Sequence, residues 1–141
     1  MKNIPEELFK SIQEVIVIPS INLILIKEGK VLLLKRKNGT FKGKWVLPGS
    51  RFLKGESVNQ AARRVAQEDC GAVIGNISLL SQTMFYTNKM QELVTLYVAE
   101  IDSNIKPGVR YSNFSWFDST MPEEVLELHK SFLEIYQNSK T

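Results

Sequence analysis

Residues 48–72 read PGSRFLKGESVNQAARRVAQEDCGA, a glycine-containing turn followed by a run with helical periodicity. Ser57 and Gln60 form the S-x-x-Q pattern of a capping box, and apolar residues then recur at helical spacing. Gly71 ends the run, since glycine is the commonest residue just past a helix C-terminus. The stretch predicts a loop followed by one amphipathic helix near residues 58–70.

The predicted helix ends in two adjacent carboxylates, Glu68 and Asp69. A helix C-terminus carries partial negative charge, so each acid costs roughly 0.3–1 kcal/mol there unless a cation compensates. Mg²⁺ suits such a pair, because it takes one or two carboxylates and shares its other positions with water and substrate phosphates. The alternative is that both acids are solvated at a fraying helix end, and spacing alone weighs the two interpretations equally.

Positive charge is concentrated just before this helix. Half of the chain's 18 Lys and Arg residues lie between Lys27 and Lys54, with Glu28 as the single acid among them. Cations beside a carboxylate pair favour a diphosphate ligand. Arg36 and Arg51 are the strongest candidates for contacting it, because a guanidinium binds phosphate through two hydrogen bonds. Most of the lysines are assigned to solvated faces and strand edges, and nucleic-acid binding is the less favoured interpretation.

The same residues resemble the signature of the Nudix hydrolase family, G-x5-E-x7-R-E-U-x-E-E-x-G-U, in which U is a bulky aliphatic residue. Its positions fall on Ser50, Glu56, Arg64, Val65, Ala66, Glu68, Asp69, Gly71 and Ala72. Residues 43–49, GKWVLPG, are similar to the family's G-x-W-x-x-P-G-G approach to this signature. The resemblance implies an α/β fold, a Nudix-type α/β/α sandwich with a mixed β-sheet, as a single domain over residues 1–141.

The resemblance also implies roles for individual residues. Ser50, through its backbone carbonyl, Glu68 and Asp69 are the implied ligands of Mg²⁺, with Mn²⁺ as the alternative. Arg36 and Arg51 are expected to bind the substrate diphosphate and to stabilise its charge as it leaves. These two arginines and Glu68 form the expected catalytic set.

Three more residues complete the expected site. Phe52, in the loop before the helix, is the aromatic residue expected to contact the substrate. Glu56 and Arg64 are expected to lock the loop to the helix through an ion pair. Removing one partner of such a pair costs roughly 3–5 kcal/mol when it is buried.

The chain departs from the signature at four positions. Val65 replaces a Glu, one of three carboxylates that typical members direct at metal or water. Ser50 replaces the leading Gly, which costs about 1 kcal/mol if its φ is positive. Asp69 is shorter than Glu, and Ala72 is small where the family has a bulky residue. The thinned signature is similar to that of the GDP-mannose mannosyl hydrolases, which cleave a nucleotide sugar at the sugar carbon with one Mg²⁺.

A general base is not evident from the sequence. That branch has a Gln and a His in the loop before its last strand, where this chain reads VRYSN over residues 109–113. The chain's single histidine, His129, falls beside an apolar helical stripe, which favours a structural or surface role.

The leading hypothesis is a Mg²⁺-dependent hydrolase of a nucleoside diphosphate linked to another moiety, chiefly a nucleotide sugar. One alternative is a non-catalytic or weakly active Nudix domain that binds a nucleotide or a protein partner. The other is a pyrophosphohydrolase that acts on nucleoside triphosphates or ADP-ribose.

Composition sets the outer bounds. The chain has 141 residues, of which 43% are hydrophobic, enough for a substantial core. No apolar run approaches the ~20 residues of a membrane span, and the first residues lack a secretion-signal pattern, so the sequence predicts a cytoplasmic protein without a membrane partner. Cys70 is the single cysteine and is interpreted as helix-end packing. A homodimer is left open.

Hydropathy patterns predict the other elements. They are a helix over residues 5–15, strands over 16–26, 31–35, 44–47, 77–86, 92–101 and 114–117, and a closing helix that a T-x-x-E cap at 120–123 begins. Residues 28–29 and 87–89 are predicted hairpin turns.

Overall fold

The computed structural model describes residues 4–39, 41–86 and 89–140. Its elements, in chain order, are α1 (Glu6–Val15), β1 (Ile18–Lys27), β2 (Lys30–Arg36), β3 (Trp45–Val46), β4 (Gly49–Arg51), α2 (Val58–Cys70), β5 (Ser78–Tyr86), β6 (Gln91–Glu100), β7 (Tyr111–Phe117) and α3 (Glu127–Ser139). The predicted fold class is confirmed, since a seven-stranded mixed sheet lies between α2 and α3.

The sheet forks along β1. The strand order is β3-β2-β1-β6-β5, with β4 paired to β1 and β7 paired to β2. β1 and β6 are parallel, whereas the other pairs are antiparallel. One edge of β1 pairs with β4 through Ser20, Ile21 and Asn22, and with β2 through Ile26 and Lys27. Two branches therefore leave the same strand edge, and the space between them is available to a ligand.

Side-chain alternation along β1 gives the sheet two apolar faces. Ile21, Leu23 and Leu25 belong to the core that packs against α2, whereas Ile24 and Ile26 belong to the core that packs against α3. Because successive residues of a strand point to opposite faces, the polar residues at 20 and 22 lie on the α3 side. The α3 side of the fork is therefore lined by polar groups.

The local predictions for α2 and the first hairpin are confirmed. The Ser57 side chain accepts a hydrogen bond from the Gln60 backbone N–H, and the Gln60 side chain accepts one from Ser57 N–H. Gly71 ends α2 with a φ of 61°. Glu28 and Gly29 have φ values of 52° and 79°, as a two-residue hairpin turn requires. Of the second predicted turn, Thr87 and Asn88 lie outside the described residues.

The predicted start of the closing helix is wrong. α3 begins seven residues after the T-x-x-E pattern opens, with Leu126 as an N-cap that makes no side-chain cap hydrogen bond. Trp45 N–H donates to the Glu124 carbonyl, and Leu126 N–H donates to the Trp45 carbonyl. These bonds hold the segment alongside β3, so it cannot form the first turns of a helix.

The structure also differs at the ends of the sheet. β4 was not predicted, because three residues including a glycine carry no alternating pattern. β7 begins at Tyr111 rather than at residue 114. No helix among the described residues is long and apolar enough to cross a membrane.

Candidate functional site

A cavity of about 410 Å³ lies at the fork, on the α3 side of the sheet. Its size is within the range of small-molecule sites. The lining residues that bear charged or polar side chains are Ser20, Asn22, Arg36, Ser50, Arg51, Glu92, Arg110, Tyr111, Glu127 and His129. Three guanidinium groups thus border one cavity, which makes it suited to a polyanionic ligand.

Asp69 ties one wall of this cavity together. Its side chain is 3% exposed, and three groups donate hydrogen bonds to it. Arg110 Nη2 donates to Oδ1 at 2.7 Å, while Gly49 N–H and the Tyr111 hydroxyl each donate to Oδ2 at 3.0 Å. Burial is the largest cause that raises the pKa of Tyr111, and the negative charge of Asp69 raises it further. The Tyr111 hydroxyl therefore remains a donor at neutral pH. Both carboxylate oxygens are therefore occupied by protein donors.

The cation that compensates this end of α2 is a protein side chain. Burial alone would lower the pKa of Arg110, but Asp69, Tyr111 and Glu68 together outweigh burial and raise it. Arg110, Tyr111 and Gly49 fill three of the roughly four acceptor positions of the Asp69 carboxylate, so the expected role of Asp69 as a metal ligand stays a prediction. In this structure Asp69 fixes Arg110 beside the cavity.

Arg110 was missed by the sequence analysis, although it lies two residues after the Pro-Gly turn at residues 107–108. The turn docks on the end of α2, where Lys106 N–H donates to the Cys70 carbonyl at 2.7 Å and Gly108 N–H donates to the Asp69 carbonyl at 2.9 Å. A Cβ on Gly108 would collide with the Glu68 carbonyl, so only glycine allows this approach. The available signal was an arginine placed between a Pro-Gly turn and the last strand.

Arg36 and Arg51 both line the cavity, as the sequence analysis expected of substrate-binding residues. Arg36 lies at the end of β2, with its guanidinium carbon 5.9 Å from the centre of the Tyr111 ring. Its buried Nε has no hydrogen-bond partner in the described structure. The Arg51 guanidinium lies 4.7 Å from the centre of the Phe9 ring, so α1 contacts this arginine.

The expected lock between loop and helix is present as an ion pair. Arg64 donates to Glu56 through Nη2 at 2.8 Å and through Nε at 3.0 Å, and the Glu56 side chain is fully buried. The hydrogen bonds from Arg64 hold the pKa of Glu56 below its usual value. Arg64 also donates to the Arg51 carbonyl at 2.9 Å. The lock therefore also fixes the backbone of Arg51, which lines the cavity.

Of the two expected metal-binding carboxylates, only Glu68 is open to solvent. Its side chain is 59% exposed and lies 3.5 Å from Arg64 Nη1. Val65, which stands where the family has a Glu, is buried in the core between α2 and the sheet. Ser50 lies in β4 opposite Ile21, and its φ is not positive, so it adopts this backbone without strain. No group of three or more His, Cys, Asp or Glu residues in the described part of the chain could hold a metal ion.

Phe52 does not fulfil its expected role. Its ring packs against the core between the sheet and α2, and it is not among the residues that line the cavity. The residue directly follows β4, and its N–H donates to the Pro19 carbonyl at 3.0 Å. Alternation from the cavity-facing Arg51 turns the next side chain to the opposite face. The aromatic rings that border the cavity belong to Phe41, Phe85 and Tyr111.

His129 is buried, yet it lines the cavity. Its Nδ1 accepts a hydrogen bond from the Leu47 N–H at 2.8 Å, so the neutral ring carries its proton on Nε2. Burial lowers its pKa to about 4. Glu92, on β6, also borders the cavity, and burial raises its pKa. The structural role expected for His129 is compatible with this position, but sequence reasoning did not place either residue in the site.

A comparison with models of known protein families assigns the chain to a family. The NUDIX domain model matches residues 18–136, most of the chain. The chain belongs to the Nudix hydrolase family. The family generally uses divalent metals, and the resemblance noted from the signature is confirmed. The mannosyl hydrolase branch is a narrower assignment that this match does not address.

Two relatives of this Nudix protein have names that point to different functions. Over 68 residues it is 35% identical to the low-salt glycan biosynthesis protein Agl8 of Haloferax volcanii, covering 48% of this chain and 44% of that protein. Over 57 residues it is 44% identical to the ADP-ribose pyrophosphatase of Methanocaldococcus jannaschii, covering 40% of this chain and 34% of that protein. The chain thus spans less than half the length of both relatives.

Solved structures confirm the fold. The MutT NUDIX hydrolase from Burkholderia pseudomallei superposes with a TM-score of 0.78 at 22% identity, covering 84% of this Nudix chain and 97% of the other.

Proposed function

We propose that this Nudix protein hydrolyses a nucleoside diphosphate linked to a second moiety, chiefly a nucleotide sugar, with Mg²⁺ as cofactor. The observation that carries the proposal is the convergence of Arg36, Arg51 and Arg110 on one cavity. Its relation to Agl8, named for glycan biosynthesis, favours a nucleotide sugar over other diphosphates.

The three arginines supply the binding and much of the charge stabilisation. A departing diphosphate carries more negative charge than the same diphosphate in the intact substrate, so fixed guanidinium groups stabilise the transition state more than the ground state. Asp69 holds Arg110 in place, and the ion pair of Arg64 fixes the Arg51 carbonyl. The site is therefore preorganised before substrate arrives.

A Mg²⁺ shared with substrate would depend on Glu68, which is not among the residues that line the cavity. Glu68 offers one solvent-exposed carboxylate, and Mg²⁺ characteristically combines one or two carboxylates with water and substrate phosphates. We assign Glu68 to hold the metal, with the Ser50 carbonyl as the expected second protein ligand. When bound, Mg²⁺ neutralises charge on the diphosphate.

Binding without hydrolysis is a second candidate function. Val65 is buried at a position where the family has a catalytic Glu, and Asp69 is paired with Arg110. Glu68 is therefore the single exposed acid at the end of α2, which favours this second function.

A turnover assay distinguishes the two functions. The purified protein is incubated with Mg²⁺ and a panel that contains nucleotide sugars, ADP-ribose and nucleoside triphosphates, and the released products are separated by chromatography. We expect turnover of a nucleotide sugar that EDTA abolishes and that Glu68→Gln lowers at least about tenfold. Glu134→Gln, which removes an exposed helix carboxylate from α3, is the matched control and should retain full turnover.

Two outcomes would count against the proposal. Tight binding of a nucleotide sugar without turnover would support the binding function instead. Neither binding nor turnover of any member of the panel would reject both functions.

A further inference from the structure

Two of the polar lining residues, His129 and Glu92, take no part in the arginine and metal chemistry. The first polar group is the Nε2–H of His129, whose residue is only 7% exposed. Its Nδ1 is taken by the Leu47 N–H, and Nε2 has no hydrogen-bond partner among the described residues. An N–H that has no protein partner, on a residue that borders a cavity, is available to donate a hydrogen bond to a ligand.

The second group is the carboxylate of Glu92. It lies on β6, next to β1, on the face that carries Val94 and the α3 core. In the described structure no hydrogen bond or ion pair engages it, although three arginines border the same cavity. A carboxylate would repel a diphosphate, so its presence indicates that part of the ligand offers hydrogen-bond donors instead.

We propose that His129 and Glu92 determine specificity by reading the nucleobase, with His129 donating to a base acceptor and Glu92 accepting from base donors. The inference rests on the proposed function, because the three arginines must hold the diphosphate of the same ligand. It narrows the substrate class to derivatives of a purine whose edge presents an acceptor beside two donors.

Guanine is the common base that presents this pattern. Its O6 is an acceptor, and its N1–H and N2 amino group are adjacent donors that one carboxylate accepts together. Hypoxanthine keeps O6 and N1–H but lacks the amino group, so it offers Glu92 a single donor. Burial keeps the His129 ring neutral, since its pKa is lowered to about 4, and the proton stays on Nε2 at physiological pH.

Calorimetric titration with GDP and IDP tests the role of Glu92 without any catalytic step. The titrations are done in EDTA, so no metal-dependent hydrolysis occurs. We expect the wild type to bind GDP about tenfold or more tightly than IDP, because one hydrogen bond to a charged group is lost. Glu92→Gln should remove most of this preference, since an amide offers one acceptor oxygen rather than two. Equal affinities of the wild type for GDP and IDP would overturn the proposal.

The control is Glu100→Gln, which removes the same charge from the other end of β6. It should bind both nucleotides as the wild type does, and a loss of preference in this variant would show a general charge effect and would overturn the role of Glu92. Thermal unfolding of each variant verifies that it is folded.

His129 is the only histidine, so its ring nitrogen signals in an NMR spectrum are unambiguous. We expect GDP to shift the Nε2 signal and inorganic pyrophosphate, which fills only the arginine side, to leave it unchanged. A spectrum that GDP does not alter would overturn the role of His129.

The outcomes separate the two proposals. GDP binding that depends on neither His129 nor Glu92 would reject the proposed role of these two residues. It would leave the proposed hydrolase function unaffected. Failure of every nucleoside diphosphate to bind would reject the proposed function itself.

Discussion

Replacing Asp69 with Asn tests whether this acid is a structural tie. In the structure its two oxygens accept hydrogen bonds from Arg110, Gly49 and Tyr111 at 2.7 to 3.0 Å. Asparagine keeps the size but has one acceptor, so its amide nitrogen would face at least one of these donors. A buried donor left unpaired costs about 1–3 kcal/mol, and the weakened bond to the half-exposed Arg110 adds about 1 kcal/mol. We expect the free energy of unfolding to fall by about 2–4 kcal/mol.

The assay is urea denaturation of the metal-free protein in EDTA, followed by tryptophan fluorescence. For a chain of this size the same change lowers the Tm by roughly 8–16 °C. Glu68→Gln is the matched control, because it neutralises the adjacent but exposed carboxylate and should change stability by less than about 0.5 kcal/mol. If Asp69 only awaited a metal, its neutralisation would relieve repulsion at the helix C-terminus. An Asp69→Asn protein as stable as the wild type in EDTA would therefore refute the tie.

Three other predictions concern stability and protonation. Arg64→Ala should cost roughly 3–5 kcal/mol in chemical denaturation, because it leaves the buried Glu56 carboxylate unpaired; an unchanged Tm would rule out the lock. Gly49→Ala should cost about 1–3 kcal/mol, because a Cβ there would lie 2.8 Å from the Ile21 carbonyl oxygen, and wild-type stability would contradict this packing. Burial lowers the pKa of His129 to about 4, below the usual value near 6.5. Between these values the unfolded chain binds more protons, so the free energy of unfolding should fall by roughly 3 kcal/mol as the pH drops from 6.5 to 4. An NMR titration of the single histidine with a midpoint near 6.5 would contradict its burial.

The parts of the fold that sequence predicted are those determined by neighbouring residues. The ends of α2 depend on Ser57, Gln60 and Gly71, all within or next to the helix. The first hairpin depends on the pair at residues 28–29, which the turn geometry itself requires. The Glu56 and Arg64 pair spans only eight residues, and the family signature marks both. Such features need no knowledge of the rest of the fold.

The parts that sequence missed depend on distant contacts. Asp69 and Arg110 are separated by 41 positions, and their pairing requires the docking of the turn at Gly108 on α2. His129 enters the site through Leu47, 82 positions away. The delayed start of α3 likewise depends on hydrogen bonds to β3. A local pattern cannot reveal these contacts, because each is created by the sheet that brings two segments together.

The prediction for Phe52 failed because it overlooked that successive side chains of a strand point to opposite faces of the sheet. The residue is adjacent to Arg51, which lines the cavity, and its ring was expected to share that surface. The intervening strand β4 was not recognised, so the reversal of side-chain direction between neighbouring residues was not applied.

The most direct test of the arginine cavity is the affinity of GDP relative to GMP, measured by calorimetry in wild-type protein and in Arg110→Ala. The three guanidinium groups should make the wild type bind GDP at least about tenfold more tightly, since the second phosphate adds charge-assisted hydrogen bonds. Loss of Arg110 should reduce this ratio severalfold while GMP binding changes less. Equal affinity of the wild type for GDP and GMP, or a ratio that the substitution leaves unchanged, would contradict the account of this cavity as a diphosphate site.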